Sequence, residues 1–241
     1  MLPITNIFNK SNHLKNTEDL FLALAINERK VSAGLWVFDQ GRGKPLALGT
    51  LESWDGESSE ELIVSSDVSI ASAIANLQGI SGRQPNKVLL GLPESWVDGN
   101  TVKDYRAKIL QGVCRKLLLT PQGFVVIPEA ITHFLKEKEG DLLSLILLQL
   151  EGSDAVISLV IQGKFLGSQI VSRSNNLALD LEEALLRFNY SGTLPPRILI
   201  MDGENLEDAK QNLVSYPWIS PEKQKKTFFL QLQELILPTK H

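Results

Sequence analysis

The turn at residues 149–154 carries side chains that could do phosphate chemistry. It joins two apolar runs and reads Gln-Leu-Glu-Gly-Ser-Asp. Glycine lets backbone N–H groups approach a phosphate closely, and a serine hydroxyl can add a donor. Two carboxylates, Glu151 and Asp154, flank Gly152 and Ser153 and would repel the same phosphate. The turn is therefore either a nucleotide site or a hairpin that has lost its phosphate chemistry.

No other residue pattern indicates a catalytic or metal site. The three histidines, His13, His133 and His241, are too scattered for metal ligation. The sequence has neither a Gly-x-Ser-x-Gly nucleophile turn nor a Gly-x-x-x-x-Gly-Lys phosphate loop. The single cysteine, Cys114, lies in a helical pattern and is expected to be buried, and one cysteine cannot form an internal disulfide.

The composition is that of a globular protein without a nucleic-acid surface. The 241 residues carry a net charge of −4, the pI is near 5.5, and no basic face stands out. The longest apolar stretch, residues 142–150, is far shorter than the ~20 residues of a spanning helix, and no signal peptide opens the sequence. We therefore expect a cytoplasmic protein without a membrane span and without a nucleic-acid partner.

Apolar spacing predicts an α/β chain. Continuous or alternating apolar runs predict strands, and apolar residues at helical spacing predict helices. The predicted strands are 20–26, 31–38, 45–54, 87–93, 123–128, 142–150, 155–162, 164–172, 196–201 and 227–237, the last with a helix as the alternative. The predicted helices are 66–78, with Ser66 or Asp67 as N-cap, 104–119, 129–139, 175–188 with an Asn cap, and 204–216.

The order of these elements repeats along the chain. Three hairpin-linked strands followed by strand–helix units occur twice. Each repeat predicts a mixed sheet, antiparallel on one side and parallel on the other, with helices outside. We expect a flexible lead-in at 1–19, a first half at 20–139 and a second half at 140–241, and the two halves are expected to face a cleft.

Three segments in this order resemble the actin-like ATPase superfamily of actin, sugar kinases and heat-shock chaperones. "KVLLGLPESW", the helix after it and "GFVVIPEAITHFL" resemble a chaperone strand–helix–strand run. "LILLQLEGSDAVISLVIQGKFL" resembles the second phosphate hairpin, Asp-x-Gly-Gly-Gly-Thr in the family. "PRILIMDGENLEDA" resembles the adenosine motif, a strand that ends in Gly-Gly before a helix. The resemblance covers about residues 20–216.

The resemblance implies a fold and a biological setting. The fold would be α/β, with two related mixed β-sheet halves of ribonuclease-H-like type, which is a minimal actin-like core. The short three-strand start and the acidic loop at 55–61 resemble PilM-like and FtsA-like bacterial proteins in particular. Those proteins are scaffolds under a membrane in pilus assembly or cell division.

The resemblance also implies which positions of two loops would contact nucleotide. In the first loop, Ala25 stands at the position of the aspartate that holds the metal-bound water. Asn27 stands there for a glycine, and asparagine tolerates a positive φ. In the second loop, Gln149 replaces the aspartate and Glu151, Ser153 and Asp154 replace Gly, Gly and Thr, while Gly152 matches the second glycine.

Two further positions follow from the resemblance. Asp202-Gly203 replaces the Gly-Gly of the adenosine motif. Glu129 matches the carboxylate that orients the attacking water and is the one catalytic candidate. Its alternative role is that of an acid favoured by the dipole at a helix N-terminus. Asn27, Gly152, Ser153 and Gly203 are therefore predicted to be vestigial nucleotide-cleft positions, and no metal site and no cofactor are expected, with ATP and Mg as the alternative.

The expected function is that of a non-catalytic scaffold or protein-interaction domain, a pseudo-ATPase in a bacterial membrane-associated assembly. The alternative is an active ATPase or kinase of the superfamily, and the replacement of carboxylates by Ala25 and Gln149 speaks against it. Expected partners are other proteins or further copies of the chain, at the inner face of the membrane. Trp54, Trp96 and the segment 216–219 are aromatic candidates for an interface, with packing in their own domain as the alternative. An edge strand at 227–237 would offer a second way to pair with another chain.

Overall fold

The chain folds into two compact units, residues 1–127 and residues 128–241. The computed structural model describes residues 20–39, 42–77, 85–201 and 206–218, together with the backbone of 231–234. The expected lead-in at 1–19 lies outside these residues. Each unit has its own sheet and its own hydrophobic core.

The first unit is built on a mixed sheet. Its strands are β1 (Leu20–Ile26), β2 (Lys30–Asp39), β3 (Arg42–Leu48), β4 (Glu52–Ser53), β5 (Lys87–Leu92), β6 (Val97–Asp98), β7 (Thr101–Val102) and β8 (Thr120–Val126). The order across the sheet is β3-β2-β1-β5-β8, with β4 also pairing with β2, while β6 and β7 form a separate small hairpin. The first three strands are antiparallel, and β1, β5 and β8 are parallel to one another, as the sequence predicts.

Two helices cover one face of this sheet. α1 (Ser59–Ala75) and α2 (Asp104–Lys116) pack on the inward residues of β1 and β5, which alternate along each strand. Leu22, Leu24 and Leu90 are fully buried there. Complete burial of one such leucine contributes about 1.5–3 kcal/mol to the free energy of unfolding.

α1 begins seven residues before the predicted start of the helix. Its N-cap is Ser58, whose side chain accepts a hydrogen bond from the Glu61 N–H at 3.2 Å. The expectation that Ser66 or Asp67 caps the helix is therefore wrong, because the Ser-x-x-Glu signature of a helix start occurs earlier in the acidic loop. Asp55 accepts backbone hydrogen bonds from Ser58 and Glu57, and these bonds lower the pKa of its carboxyl.

The third predicted strand is interrupted because α1 inserts a serine into the ladder. Ser69 Oγ accepts from the Ala33 N–H at 2.8 Å and donates to the Thr50 carbonyl at 2.6 Å. The strand therefore ends at Leu48 and resumes as β4. A Cβ atom on Gly49 would collide with the backbone carbonyl oxygen of Ser69 and would lie 2.8 Å from Ser69 Oγ, so glycine is required for this close approach.

The second unit repeats the topology of the first. Its strands are β9 (Leu145–Glu151), β10 (Asp154–Ile161), β11 (Lys164–Ser172), β12 (Arg197–Met201) and β13 (Gln231–Glu234). Their order is β11-β10-β9-β12-β13, with antiparallel pairing through the first three strands and parallel pairing beyond them. The predicted internal repeat is confirmed. Residues 231–234 are a strand at the sheet edge, so the helical alternative is wrong there.

Helices cover both faces of the second sheet. α4 (Leu177–Leu186), which Asn176 caps, and α5 (Leu206–Ser215) pack on the face that carries Ile146 and Leu148. α3 (Ile127–Glu139) packs on the opposite face, against Leu145 and Leu147. Every residue of β9 is consequently buried, which explains why its sequence is a continuous apolar run instead of an alternating one.

Candidate functional site

The turn between β1 and β2 is held by hydrogen bonds of its backbone. The Asn27 N–H donates to the Lys30 carbonyl at 2.7 Å, and the Trp54 indole donates to the Asn27 carbonyl at 3.2 Å. Among the described non-glycine residues, only Leu118 and Gln162 have a positive φ. The expectation that Asn27 uses a left-handed conformation is therefore wrong. Asn27 is buried within the first unit.

Three donors converge on the carboxylate of Glu28 in the same turn. The Trp96 indole donates to Oε2 at 3.0 Å, and the Arg106 guanidinium donates to the same oxygen at 3.3 Å. The Ser95 hydroxyl donates to Oε1. The side chains of Glu28 and Arg106 are only 25% and 21% exposed, so solvent and salt screen this ion pair less than a surface pair.

The Arg106 guanidinium also fixes the segments around the turn. It donates to the Gly56 carbonyl at 2.7 Å and lies 4.3 Å from the centroid of the Trp96 ring, a cation–π geometry. The Trp54 and Trp96 rings pack edge to face with their centroids 5.9 Å apart. Their exposed fractions are 4% and 1%. Both tryptophans are core residues, and the hypothesis that they form a partner surface is wrong.

Sequence reasoning assigned no role to Glu28, Ser95 or Arg106. Seventy-eight positions separate Glu28 from Arg106, and no local spacing links a turn carboxylate to an arginine in a distant helix. The one available signal was Trp96, because it follows the end of a parallel strand, where side chains of α/β proteins often converge.

The turn between β9 and β10 is a two-residue hairpin formed by Gly152 and Ser153. Gly152 has a φ of +58°, and Ser153 is not among the residues with positive φ, a combination that fits a type II′ turn. Arg173 supports the turn from outside. Its guanidinium donates to the Gly152 carbonyl at 2.9 Å, and its N–H donates to the Ser153 carbonyl at 2.7 Å. The predicted hairpin is present, and Gly152 and Ser153 lie together at its tip.

A buried carboxylate directly precedes this hairpin turn. Glu151 is 3% exposed and Gln149 is 6% exposed, and the Gln149 amide donates to the Glu151 carboxylate at 2.7 Å. Because side chains alternate along a strand, both residues share a sheet face with Leu147, the face on which α3 packs. Gln149 and Glu151, which replace the Asp and the first Gly of the family pattern, are thus hydrogen-bonded to each other.

The remaining candidate positions are distributed over both units. Glu129 is half-buried in the first turn of α3, in the second unit. Asn27 belongs to the first unit, and Gly203 lies outside the described residues. Gly152 and Ser153 are adjacent at the tip of the second turn, and Glu129 belongs to the same unit as that turn.

The aromatic pair near the end of α5 is occupied by contacts within the second unit. The Tyr216 hydroxyl donates to the Glu182 carboxylate at 2.9 Å, and the Trp218 indole donates to the Leu213 carbonyl at 2.7 Å. The two rings pack edge to face at 4.9 Å and lie against the core of this unit. These contacts favour the packing alternative for this segment.

The residues that the structure describes contain no group of three or more His, Cys, Asp or Glu side chains that could hold a metal ion. None of their helices is long and apolar enough to cross a membrane.

Three solved structures have the same fold as this chain. The chain is similar to the PilM–PilN type IV pilus biogenesis complex (TM-score 0.57, 11% identity, 88% of this chain and 87% of that chain). It is similar to the ethanolamine utilization protein EutJ from Carboxydothermus hydrogenoformans (0.58, 13%, 91% and 86%). It is also similar to a Bacteroides thetaiotaomicron protein with an actin-like ATPase fold and unknown function (0.51, 9%, 92% and 93%). The chain therefore has the actin-like ATPase fold that the sequence resemblance implied.

Sequence comparison adds no closer relative. No protein-family model matches the chain, and no curated protein matches it. At identities of 9–13% the structural neighbours establish the fold and leave the activity to the chemistry of the site.

Proposed function

We propose that this chain is a non-catalytic scaffold domain with an actin-like fold, and that it binds protein partners in a bacterial membrane-associated assembly of pilus or division type. Its place in the cell would be the cytoplasmic side of that membrane. The observation that carries the proposal is the buried Glu151 carboxylate, which directly precedes the hairpin turn that the sequence resemblance pairs with phosphate.

An ionised carboxylate at this position would repel a bound phosphate. A phosphate at about 4 Å from a second negative charge meets a repulsion on the order of 4 kcal/mol at an effective dielectric constant of about 20. Asp154, on the other side of the turn, adds a second carboxylate. A metal ion would offset this repulsion, but Gln149 stands where the family pattern has a metal-binding aspartate.

The first turn supports the same proposal. The Ala25 side chain offers no oxygen for a metal-bound water. Ser95, Trp96 and Arg106 donate to the chain's own Glu28 carboxylate, so these three donors are engaged within the chain. The hydrogen bonds that hold this turn are therefore supplied by the chain itself.

The proposal that this chain binds protein partners is based on one of the similar solved structures. The PilM protein in that solved structure forms a complex with another protein, PilN. If this chain has the same fold but does not bind phosphate, protein binding is the function that it could still share with PilM. We therefore propose protein partners or further copies of this chain, and we expect that neither requires ATP.

Thermal unfolding with and without nucleotide tests the proposal. The melting temperature would be measured alone, with millimolar ATP or ADP, and with each nucleotide plus Mg²⁺. A ligand at about 100 times its Kd adds about 2.7 kcal/mol of stability, which corresponds to several degrees for a chain of this size. We expect no shift, and we expect a partner captured from cells to bind equally with and without Mg-ATP.

The alternative function predicts the opposite result. An active ATPase or kinase would show a metal-dependent rise in melting temperature and hydrolysis or transfer of the γ-phosphate. In that case Glu129→Gln would abolish turnover while nucleotide binding remained. Either observation would overturn the scaffold proposal.

A further inference from the structure

Ser95, Trp96 and Arg106 together form what we call the oxyanion cradle. A hydroxyl, an indole N–H and a guanidinium meet at one carboxylate, and they come from the short 3-10 turn after β5 and from α2. All three groups are donors, and one is a permanent cation. This is the donor set that proteins use for a bound carboxylate or phosphate.

The cradle is built into the first unit. The Trp96 side chain is 1% exposed, so its N–H cannot turn to water if its acceptor is lost. The Arg106 guanidinium is fixed by the Gly56 carbonyl and by the face of the Trp96 ring. The Lys103 ammonium donates to the Ser95 carbonyl at 2.7 Å and ties the segment that carries two of the three donors to the start of α2.

The acceptor in the cradle comes from a different segment. Glu28 belongs to the β1–β2 turn and reaches residues 67, 68 and 78 positions away. Its side chain is 25% exposed, so the cradle is open to solvent at one side. A small anion from solution could therefore enter if the Glu28 carboxylate were absent.

We propose that Glu28 is a built-in ligand of an oxyanion-binding site formed by Ser95, Trp96 and Arg106. The cradle takes carboxylates and related oxyanions, and the chain supplies one itself. The β1–β2 turn is in consequence held permanently in a ligand-bound shape. In structural terms, the chain is fixed in one state of this turn and does not switch between an empty and an occupied state.

This inference deepens the proposed function. It rests on that function only for its biological meaning, which is that the scaffold needs no added ligand at the β1–β2 turn. Its test is independent, because it measures small anions on variants of Glu28, whereas the proposed function is tested with nucleotides on the wild-type chain. Anion binding by the variant without nucleotide binding by the wild type supports both. Nucleotide binding by the wild type would overturn the scaffold and leave the cradle standing.

The experiment is chemical rescue of Glu28→Ala. This change removes a group with the size and charge of acetate, and thermal unfolding is followed in acetate, in inorganic phosphate and in chloride at equal ionic strength. We expect a lower melting temperature than wild type in chloride. At about ten times its Kd, acetate should raise the melting temperature of Glu28→Ala by roughly 3–6 °C above the value in chloride. Acetate acting more strongly than phosphate identifies a carboxylate as the preferred ligand, and phosphate acting more strongly identifies a phosphate site.

Two variants serve as controls. Glu57→Ala removes an exposed carboxylate from the loop that precedes α1, and its melting temperature should respond to acetate no more than that of wild type. Glu28→Ala combined with Ser95→Ala removes one donor of the cradle and should weaken the acetate response several-fold. A structural defect alone would leave the response to acetate and chloride equal.

The proposal has a clear contrary result. Equal melting temperatures of Glu28→Ala in acetate, phosphate and chloride would overturn it, as would an equal acetate response in the Glu57→Ala control. If Glu28→Ala does not fold in chloride, refolding is repeated in acetate. Recovery in acetate alone supports the cradle, and failure in both salts overturns it.

Discussion

The Arg106 guanidinium donates to the Glu28 carboxylate at 3.3 Å and lies 4.3 Å from the centroid of the Trp96 ring. One side chain of α2 thus joins the β1–β2 turn to the segment after β5. The same guanidinium donates to the Gly56 carbonyl in the loop before α1. Arg106 therefore connects α2 to three other segments of the first unit.

Arg106→Ala is expected to lower the free energy of unfolding by about 2–4 kcal/mol. The change removes a hydrogen bond to the Gly56 carbonyl, a cation–π contact with Trp96 and an ion pair with the partly buried Glu28 carboxylate. Urea unfolding would measure the loss. Arg115→Ala, an exposed change in the last turn of the same helix, should stay within about 0.5 kcal/mol of wild type. Equal losses in the two variants would contradict the role of Arg106.

Ser69→Ala is expected to cost about 1–3 kcal/mol. The Ser69 hydroxyl accepts a hydrogen bond from the Ala33 N–H and donates one to the Thr50 carbonyl where the strand pairing is interrupted. Ser69 is fully buried. Ser72→Ala is the matched control, because Ser72 accepts from the Thr50 N–H at 3.3 Å at an exposed position and should cost less. Denaturant unfolding of both variants measures the difference, and a Ser69→Ala variant as stable as wild type would contradict the structural role of this hydroxyl.

Leu118→Gly is expected to stabilise the chain by about 0.5–1 kcal/mol. Leu118 follows α2 with a φ of +56° and is 83% exposed, so the change relieves a strained backbone and loses little packing. The greater chain entropy of glycine in the unfolded state offsets part of the gain. Leu117→Gly is the control, since its φ of −91° carries no such strain and the change should destabilise. A lower melting temperature for Leu118→Gly would contradict the argument.

The chain is expected to lose stability above pH 9 through Cys114. Burial raises the pKa of this thiol from 9.0 to about 11, and the residue is 5% exposed. Between these values the unfolded chain releases the thiol proton and the folded chain keeps it, so the free energy of unfolding falls as the pH rises. The loss is on the order of 2–3 kcal/mol. In Cys114→Ala this part of the decline should disappear from urea unfolding curves measured between pH 8 and 11, and an unchanged decline would show that other groups cause it.

The sequence predicts the α/β class, the repeated strand order and the parallel and antiparallel halves of both sheets, because apolar periodicity reflects which faces are covered. It predicts the second hairpin, because Gly152 marks a tight turn. The acidic composition of residues 55–61 favours a loop, so the start of α1 was missed. The capping pair Ser58 and Glu61, which marks this start, is nevertheless present in the sequence.

The features of the site that sequence reasoning missed depend on contacts between distant segments. The bonds of Glu28 to Ser95 and Arg106 have no local signature, and the same holds for the insertion of Ser69 into the ladder. Trp54 and Trp96 looked like surface aromatics because they stand next to polar loops. The two rings pack against each other, and Trp96 also packs against Arg106. These three residues come together only in the folded chain.

The repeated strand order has a consequence for the kinetics of folding. In each unit, the three antiparallel strands follow one another with short connections. The parallel strands β5 and β8 in the first unit, and β12 and β13 in the second, each come after a helix in the chain. Loop-closure entropy favours the short connections. We therefore expect β1–β3 and β9–β11 to form first, as two separate nuclei on one chain. Substitutions in those hairpins should slow refolding, and substitutions in β8 or β12 should mainly accelerate unfolding.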